Sequence, residues 1–286
     1  MIPQRILLCG GGVNATAHLG VLEVLEQKGS LRHVKEWMGV SAGAFLAMSL
    51  AIGVSLAELT AFNLEFDFTL LTDPDTAPGW FLNLGYDTGS KLTRVMDAFL
   101  REKGLPPTVT FGDLAAKGRK GLRVFAVNIN TGTLKEFSAQ ATPGYSVANA
   151  VRASMTIPYY YQPFKCPETG HVYYDGGLIS NYPIQYLTEE DARNTLGILF
   201  NYTIDVVELL EPKDILLRPI QIALRSRTIL DKFQDQTIIV PLGSRSSVHF
   251  EIKKEEKLEL IDLGRTAATT FLLSCRKKPV RRYSVS

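Results

Sequence analysis

Three cysteines are all that the 286 residues hold, Cys9, Cys166 and Cys275. They are odd in number and far apart, without the paired spacing of a zinc site or a disulfide framework, which points to a reducing compartment and a cytoplasmic location. A charge excess is lacking too: 31 basic residues stand against 29 acidic ones, net +2. That balance gives no global electrostatic case for a nucleic-acid partner. Residues 1–12 carry one basic residue, a short apolar run and then glycines, without the long apolar core of a secretory signal. No internal repeat or low-complexity tract occurs. The longest uncharged stretch, Trp37 to Ala57, has the length of a membrane span. Gly39, Gly43 and Gly53 interrupt it and Ser41, Ser49 and Ser55 dilute it, so it reads as a buried strand, turn and helix.

What is there fits a globular chain, with 45% apolar and 21% charged residues. Arg5 to Cys9 is a short apolar run entering Gly10-Gly11-Gly12, and the spacing of Ala17, Val21, Leu22 and Leu25 predicts a helix after it, closed at Gly29. Glu36 to Val40 reads as a second strand, with an Ala-rich helix over 42–52. Strand-helix-strand-helix alternation predicts an α/β fold with a parallel sheet. Helices are also expected over 55–66, Thr88 to Lys103, Ser146 to Met155, 214–230 and 251–275. Leu122 to Asn130 and Leu134 to Phe137 form a hairpin around Thr131-Gly132, and Val172 to Tyr174 and Thr195 to Phe200 are further strands. Residues 67–87 show no clean period and suit a lid or an apolar binding surface. The division expected is one domain over 1–275 and a basic tail over 276–286, where Arg276 to Arg282 place five basic residues among seven.

One pentapeptide carries chemistry. Gly39-Val40-Ser41-Ala42-Gly43 is G-x-S-x-G between a predicted strand and a predicted helix, the setting in which a sharp turn exposes a strained serine. By chance the pattern arises roughly 0.1 times per chain of this composition, so it is moderately specific. Ser41 would stand at a helix N-terminus, where free amides favour developing negative charge. The Gly10-Gly11-Gly12 turn offers unhindered amides for an oxyanion. Gly10-x-Gly12-x-x-Ala15 also fits a dinucleotide fingerprint, but the acidic residue wanted at the end of strand two is missing; Glu36 lies at its start.

A serine nucleophile needs a base. In the order Ser, Asp, His only His249 follows Asp175, and no motif surrounds it. His18 reads as a packed structural residue, and His33 and His171 as loop residues. Asp175 ends a strand and precedes Gly176-Gly177, which permit close approach of backbone or substrate. A plain Asp-Gly turn would read the same way.

Taken in order, Gly10-Gly11-Gly12 with His18-Leu19-Gly20-Val21-Leu22, Gly39-Val40-Ser41-Ala42-Gly43, Arg152-Ala153-Ser154 with Ile157-Pro158, and Asp175-Gly176-Gly177 with Asn181 and Pro183 resemble the successive blocks of patatin-like phospholipases. The resemblance covers residues 5 to about 200 and leaves the last third without a quotable motif. It implies a three-layer α/β/α fold with helices on both faces of the sheet and metal-independent, cofactor-free hydrolysis of lipid acyl esters. It maps the nucleophile to Ser41, the base to Asp175 in a dyad without histidine, and the oxyanion hole to the Gly10, Gly11 and Gly12 amides, with Gly39, Gly43, Gly176 and Gly177 in support. One departure stands out: where the family continues its glycine run with a basic residue and another glycine, this chain has Asn14 and Ala15.

The resulting expectation is a lipid acyl hydrolase in peripheral contact with membranes, its acyl chain received by apolar residues of 62–86 and by Tyr159-Tyr160-Tyr161. A lipid binder that has lost catalysis and a dinucleotide-dependent enzyme are the competing readings. The sequence leaves oligomeric state and head-group preference open.

Overall fold

In the computed structural model of the protein, the described residues are 2–76, 83–203, 218–220, 222–224 and 232–277. Their centre is an eight-stranded mixed sheet, with helices packed around it in an α/β/α arrangement. Strands β1 (Arg5–Leu8), β2 (Glu36–Val40) and β4 (Gly121–Asn128) run parallel, as do β9 (Thr195–Tyr202) and β10 (Thr237–Gly243), in the order β10-β9-β1-β2-β4. Ile6, Leu7 and Leu8 are wholly buried, as expected of a strand covered on both faces.

Beyond β4 the sheet turns antiparallel, which the alternation of strands and helices did not predict. The hairpin around Thr131-Gly132 folds β5 (Thr133–Ser138) back on β4, and β8 (Val172–Asp175) and β7 (Phe164–Lys165) complete that side. A small second sheet pairs β3 (Gly85–Asp87) with β6 (Tyr159–Tyr161). The expected helices appear as α1 (Thr16–Gln27), α2 (Ala42–Ala51), α3 (Leu56–Glu65), α4 (Ser90–Glu102) and α6 (Val147–Ser154), while α5 (Phe111–Ala116), α7 (Gly177–Ser180) and α8 (Glu189–Arg193) are shorter additions. Of the helix expected over 214–230, only 218–220 and 222–224 are described, and these are helical. The Trp37 to Ala57 stretch divides as expected into strand, turn and helix. Among the described residues no helix is long and apolar enough to cross a membrane.

A long helix, Lys254–Lys277, closes the described fold and takes in the first two residues of the expected tail; residues 278–286 lie outside the described ones. It buries Lys257, Leu260, Ile261, Gly264 and Ala268, a helical spacing, and packs mainly against α1, with Lys257 reaching the end of α3. The contact is backbone to backbone: a Cβ on Gly20 would lie 1.9 Å from the Ile261 carbonyl oxygen, and one on Gly264 would lie 2.1 Å from that of Ala17.

At the starting ends of the parallel strands a charge cluster pins the register. Arg123, 4% exposed, pairs with Glu36 at 3.1 Å and Asp191 at 3.1 Å, and Arg5 pairs with the same two carboxylates at 2.9 Å each. Each of these two carboxylates is shared by both guanidinium groups, so no buried charge of the cluster depends on a single partner.

Candidate active site

Ser41 follows β2 and precedes α2 in a backbone conformation that side chains avoid, φ 54° and ψ −132°. The flanking glycines make that turn sterically possible. A Cβ on Gly39 would sit 2.3 Å from the Gly43 carbonyl oxygen, and one on Gly43 would sit 2.5 Å from the carbonyl oxygens of both Leu8 and Cys9. Strand, turn and helix are therefore pressed together, and against β1, to hold one serine at the end of the sheet.

Asp175 reaches the same point from the opposite direction. β5 covers one edge of β4 from Arg123 to Asn128, so β2 and β8 must share the other edge. Val40 is paired with Phe125 and Asp175 with Ala126, consecutive residues of β4. Parallel β2 and antiparallel β8 thus end head to head, which brings Ser41 and Asp175 together. The Asp175 side chain is buried; its Oδ1 accepts the Gly177 amide at 2.8 Å, and Oδ2 closes no hydrogen bond. Burial pushes its carboxyl up to about 6, while interaction with the Ser41 hydroxyl and the Gly177 amide pulls the other way.

The glycine turn lies against both. Asn181 grips Gly10 from two sides, its Nδ2 donating to the Gly10 carbonyl at 3.0 Å and its carbonyl accepting the Gly10 amide at 3.4 Å. Among the described residues, Gly10 is thus the one glycine of the three whose amide finds an acceptor. The Gly11 and Gly12 amides donate to no described residue. Gly12 has φ +53°, and its missing Cβ leaves room for the Ser247 carbonyl, which accepts the Val13 amide at 3.0 Å. Asn14, at the family's basic position, is buried and donates to the carbonyls of Ser246 at 3.3 Å and Arg245 at 3.5 Å. Ala15 sits at φ −57°, an ordinary right-handed conformation, so no glycine is needed there.

Two cavities meet at Ser41. A small one is lined by Gly10, Gly11, Gly12, Ser41, Asp175 and Asn181 among others. The second is apolar and carries Phe45, Leu59, Phe62, Phe66, Phe68, Leu71, Tyr161 and Phe250. Several of the aromatic residues expected to receive an acyl chain therefore line one pocket; Trp80, Phe81 and Leu82 lie outside the described residues. Asp175 is the one charged side chain among the described residues of the two linings, and no histidine joins them. His18 is buried, bonded through Nε2 to the Cys9 carbonyl at 2.9 Å and stacked on Phe200, and burial lowers its pKa to about 4. His249 is exposed and lines a separate hollow beside Asn14. Glu36 is committed to Arg5 and Arg123 at the opposite strand ends, which removes the acid that a ribose would need. Among the described residues no cluster of three or more His, Cys, Asp or Glu could hold a metal.

Sequence reasoning gave no role to three features that the structure brings to the site. Ser154 bridges the Ser41 amide to the Phe125 carbonyl. Residues 245–250 form a strap over the glycine turn. Lys257 binds the end of α3; its signal was a lone lysine in register with Leu260, Ile261, Gly264 and Ala268 on a helix face.

The mixed sheet with helices around it defines an α/β three-layer protein. The family profile described as patatin-like phospholipase matches residues 6–188, and the chain belongs to that family. It is 31% identical over 291 aligned residues to the uncharacterized protein YqhO of Bacillus subtilis (strain 168), covering 92% of this chain and 96% of that one. It is 27% identical over 183 residues to the probable lipid hydrolase 463L of Invertebrate iridescent virus 6, covering 63% of this chain and 62% of that one. Among solved structures, VipD from Legionella pneumophila shares the fold with a TM-score of 0.65 at 17% identity, over 96% of this chain and 67% of that one.

Proposed function

We propose that the protein is a serine lipid acyl hydrolase in which Ser41 and Asp175 act as a dyad. The observation that carries this reading is the head-to-head ending of β2 and β8 on one edge of β4, which sets a strained serine beside a buried carboxylate with an unused oxygen. Asp175 Oδ2 accepts the proton of the Ser41 hydroxyl as its oxygen attacks an ester carbonyl. The Gly11 and Gly12 amides hold the oxyanion, with Gly10 fixing the turn through Asn181. The leaving alcohol takes the proton from Asp175. Water then gives a proton to Asp175 as it attacks the acyl-enzyme, and that proton returns to Ser41. A carboxyl raised to about 6 is a better base than an ordinary aspartate and is still ionised near neutral pH.

The apolar pocket supports a lipid acyl chain as the group recognised, and a chain drawn from a bilayer requires peripheral contact with its surface. Mass spectrometry after treatment with a long-chain fluorophosphonate tests the dyad. Labelling confined to Ser41, absent in Ser41→Ala and slowed in Asp175→Asn, is the expected result. A folded wild type that takes no label would overturn catalysis and favour a lipid binder.

A further inference from the structure

The apolar pocket owes part of its wall to a residue outside the segment matched by the family profile. Lys257, on the long helix, is 3% exposed. Its ammonium donates to three carbonyls at the end of α3, those of Asn63 at 2.9 Å, Leu64 at 3.5 Å and Phe66 at 2.6 Å. Those are the acceptors that a helix C-terminus leaves without partners, at the negative end of its dipole. The same ammonium lies 4.6 Å from the centre of the Phe68 ring. From there an aromatic row runs inward: Phe68 meets Phe66 edge-on at 5.7 Å, and Phe66 stacks on Phe62 at 4.7 Å. All three rings line the apolar pocket and none lines the small cavity, whereas Gly12, Ser41, Ile157 and Ser247 line both. The Thr16 hydroxyl donates to the Asn63 side chain at 2.9 Å, so the last turn of α3 is tied to α1 on one side and to Lys257 on the other.

We infer that Lys257 is a positioning residue for acyl-chain length, fixing the aromatic row that a long chain touches and a short chain does not reach. The inference rests on the acyl-pocket reading given above. Without Lys257 three carbonyls lose their donor and the end of α3 is free to shift, carrying Phe66 and Phe68 with it. The part of the pocket next to Ser41 is held independently, by the Gly39 and Gly43 packing and by Ser154. Loss of Lys257 should therefore act on long chains selectively.

The test is competitive displacement of cis-parinarate by octanoate, laurate and palmitate, on the full chain as wild type, Lys257→Met and Lys257→Arg. Binding is read without turnover, so a silent nucleophile does not obscure it. The expected result is palmitate affinity weakened about tenfold in Lys257→Met, octanoate affinity within about twofold of wild type, and palmitate affinity largely restored in Lys257→Arg. Lys257→Gln, which keeps two N–H donors without the charge, carries the same comparison if Lys257→Met does not fold. A length profile unmoved by these substitutions, or an equal loss at every length, overturns the role of Lys257 alone. Failure of wild type to bind any of the three overturns the acyl-pocket reading and this inference with it.

Discussion

Ser154 holds Ser41 by the backbone. Its Oγ accepts the Ser41 amide at 2.8 Å and donates to the Phe125 carbonyl at 2.6 Å, all in a wholly buried position. Phe125 is also the residue paired with Val40, so one hydroxyl ties the strained turn to the strand that sets its place. Replacing Ser154 with alanine leaves a buried donor and a buried acceptor unpaired. Denaturant unfolding should show a loss of about 2 kcal/mol. Fluorophosphonate labelling of Ser41 should slow at least about tenfold, because the turn relaxes from its φ of 54°. Unchanged labelling in Ser154→Ala would show that Ser41 keeps its conformation without this tie.

Asp175 gives the activity and the stability opposite dependences on pH. Ionised Asp175 is the base, so the hydrolysis rate should climb as pH rises through about 6. For stability the sign is reversed. The native state holds the proton up to about 6 while the unfolded chain releases it near the ordinary aspartate value, so stability falls as pH rises through that window. Asp175→Asn removes the cost of a buried charge and should be more stable than wild type above pH ~6, by up to about 3 kcal/mol. Parallel stability curves for the two proteins between pH ~4 and ~7 would contradict this.

His18 works the other way. It stays neutral in the fold down to about pH 4, whereas an unfolded histidine takes a proton near its ordinary value. Stability should therefore drop as pH falls from about 6.5 towards 4, by up to about 3 kcal/mol. In His18→Gln that part of the acid slope should vanish, whatever the substitution does to stability at neutral pH.

Asn14 carries the strap. Its amide group donates to the Ser246 and Arg245 carbonyls, so Asn14→Leu should cost about 1 kcal/mol and Asn14→Asp more, since a carboxylate would face carbonyl oxygens. Limited proteolysis should cut within 245–250 sooner in both variants, Asp first. Equal protection in all three proteins would show that the strap is held by the Val13 amide and Ser247 carbonyl alone.

The parallel core of the sheet was legible in the sequence because β1, β2, β4 and β9 are short apolar runs, the first two of them opening into glycine turns that precede helices. The G-x-S-x-G turn was legible for the same reason: its glycines answer to local crowding. β10 was not, since Pro241 interrupts it and its register shifts there, as an edge strand tolerates. On the antiparallel side the hairpin and β8 were legible, but β7 escaped with two residues, as did β6 of the small second sheet with three, too few to show alternation. At the site, Asn14 drew notice as a departure from the family, but its partners, Tyr202, Arg245 and Ser246, lie far away along the chain. Lys257 and Ser154 act through backbone carbonyls and an amide, groups that every residue possesses, so nothing in the composition of their targets could announce them.

β4 is, in effect, a ruler for the chemistry. The two residues proposed to share a proton are set by adjacent marks on it, Phe125 and Ala126, each far from both of them along the chain. Each mark is read by a distant segment, so neither half of the site exists until two long loops have closed. Helical signal should thus return early during refolding and reactivity at Ser41 last. A single residue inserted between those marks would leave every element of the fold recognisable and the pair out of step.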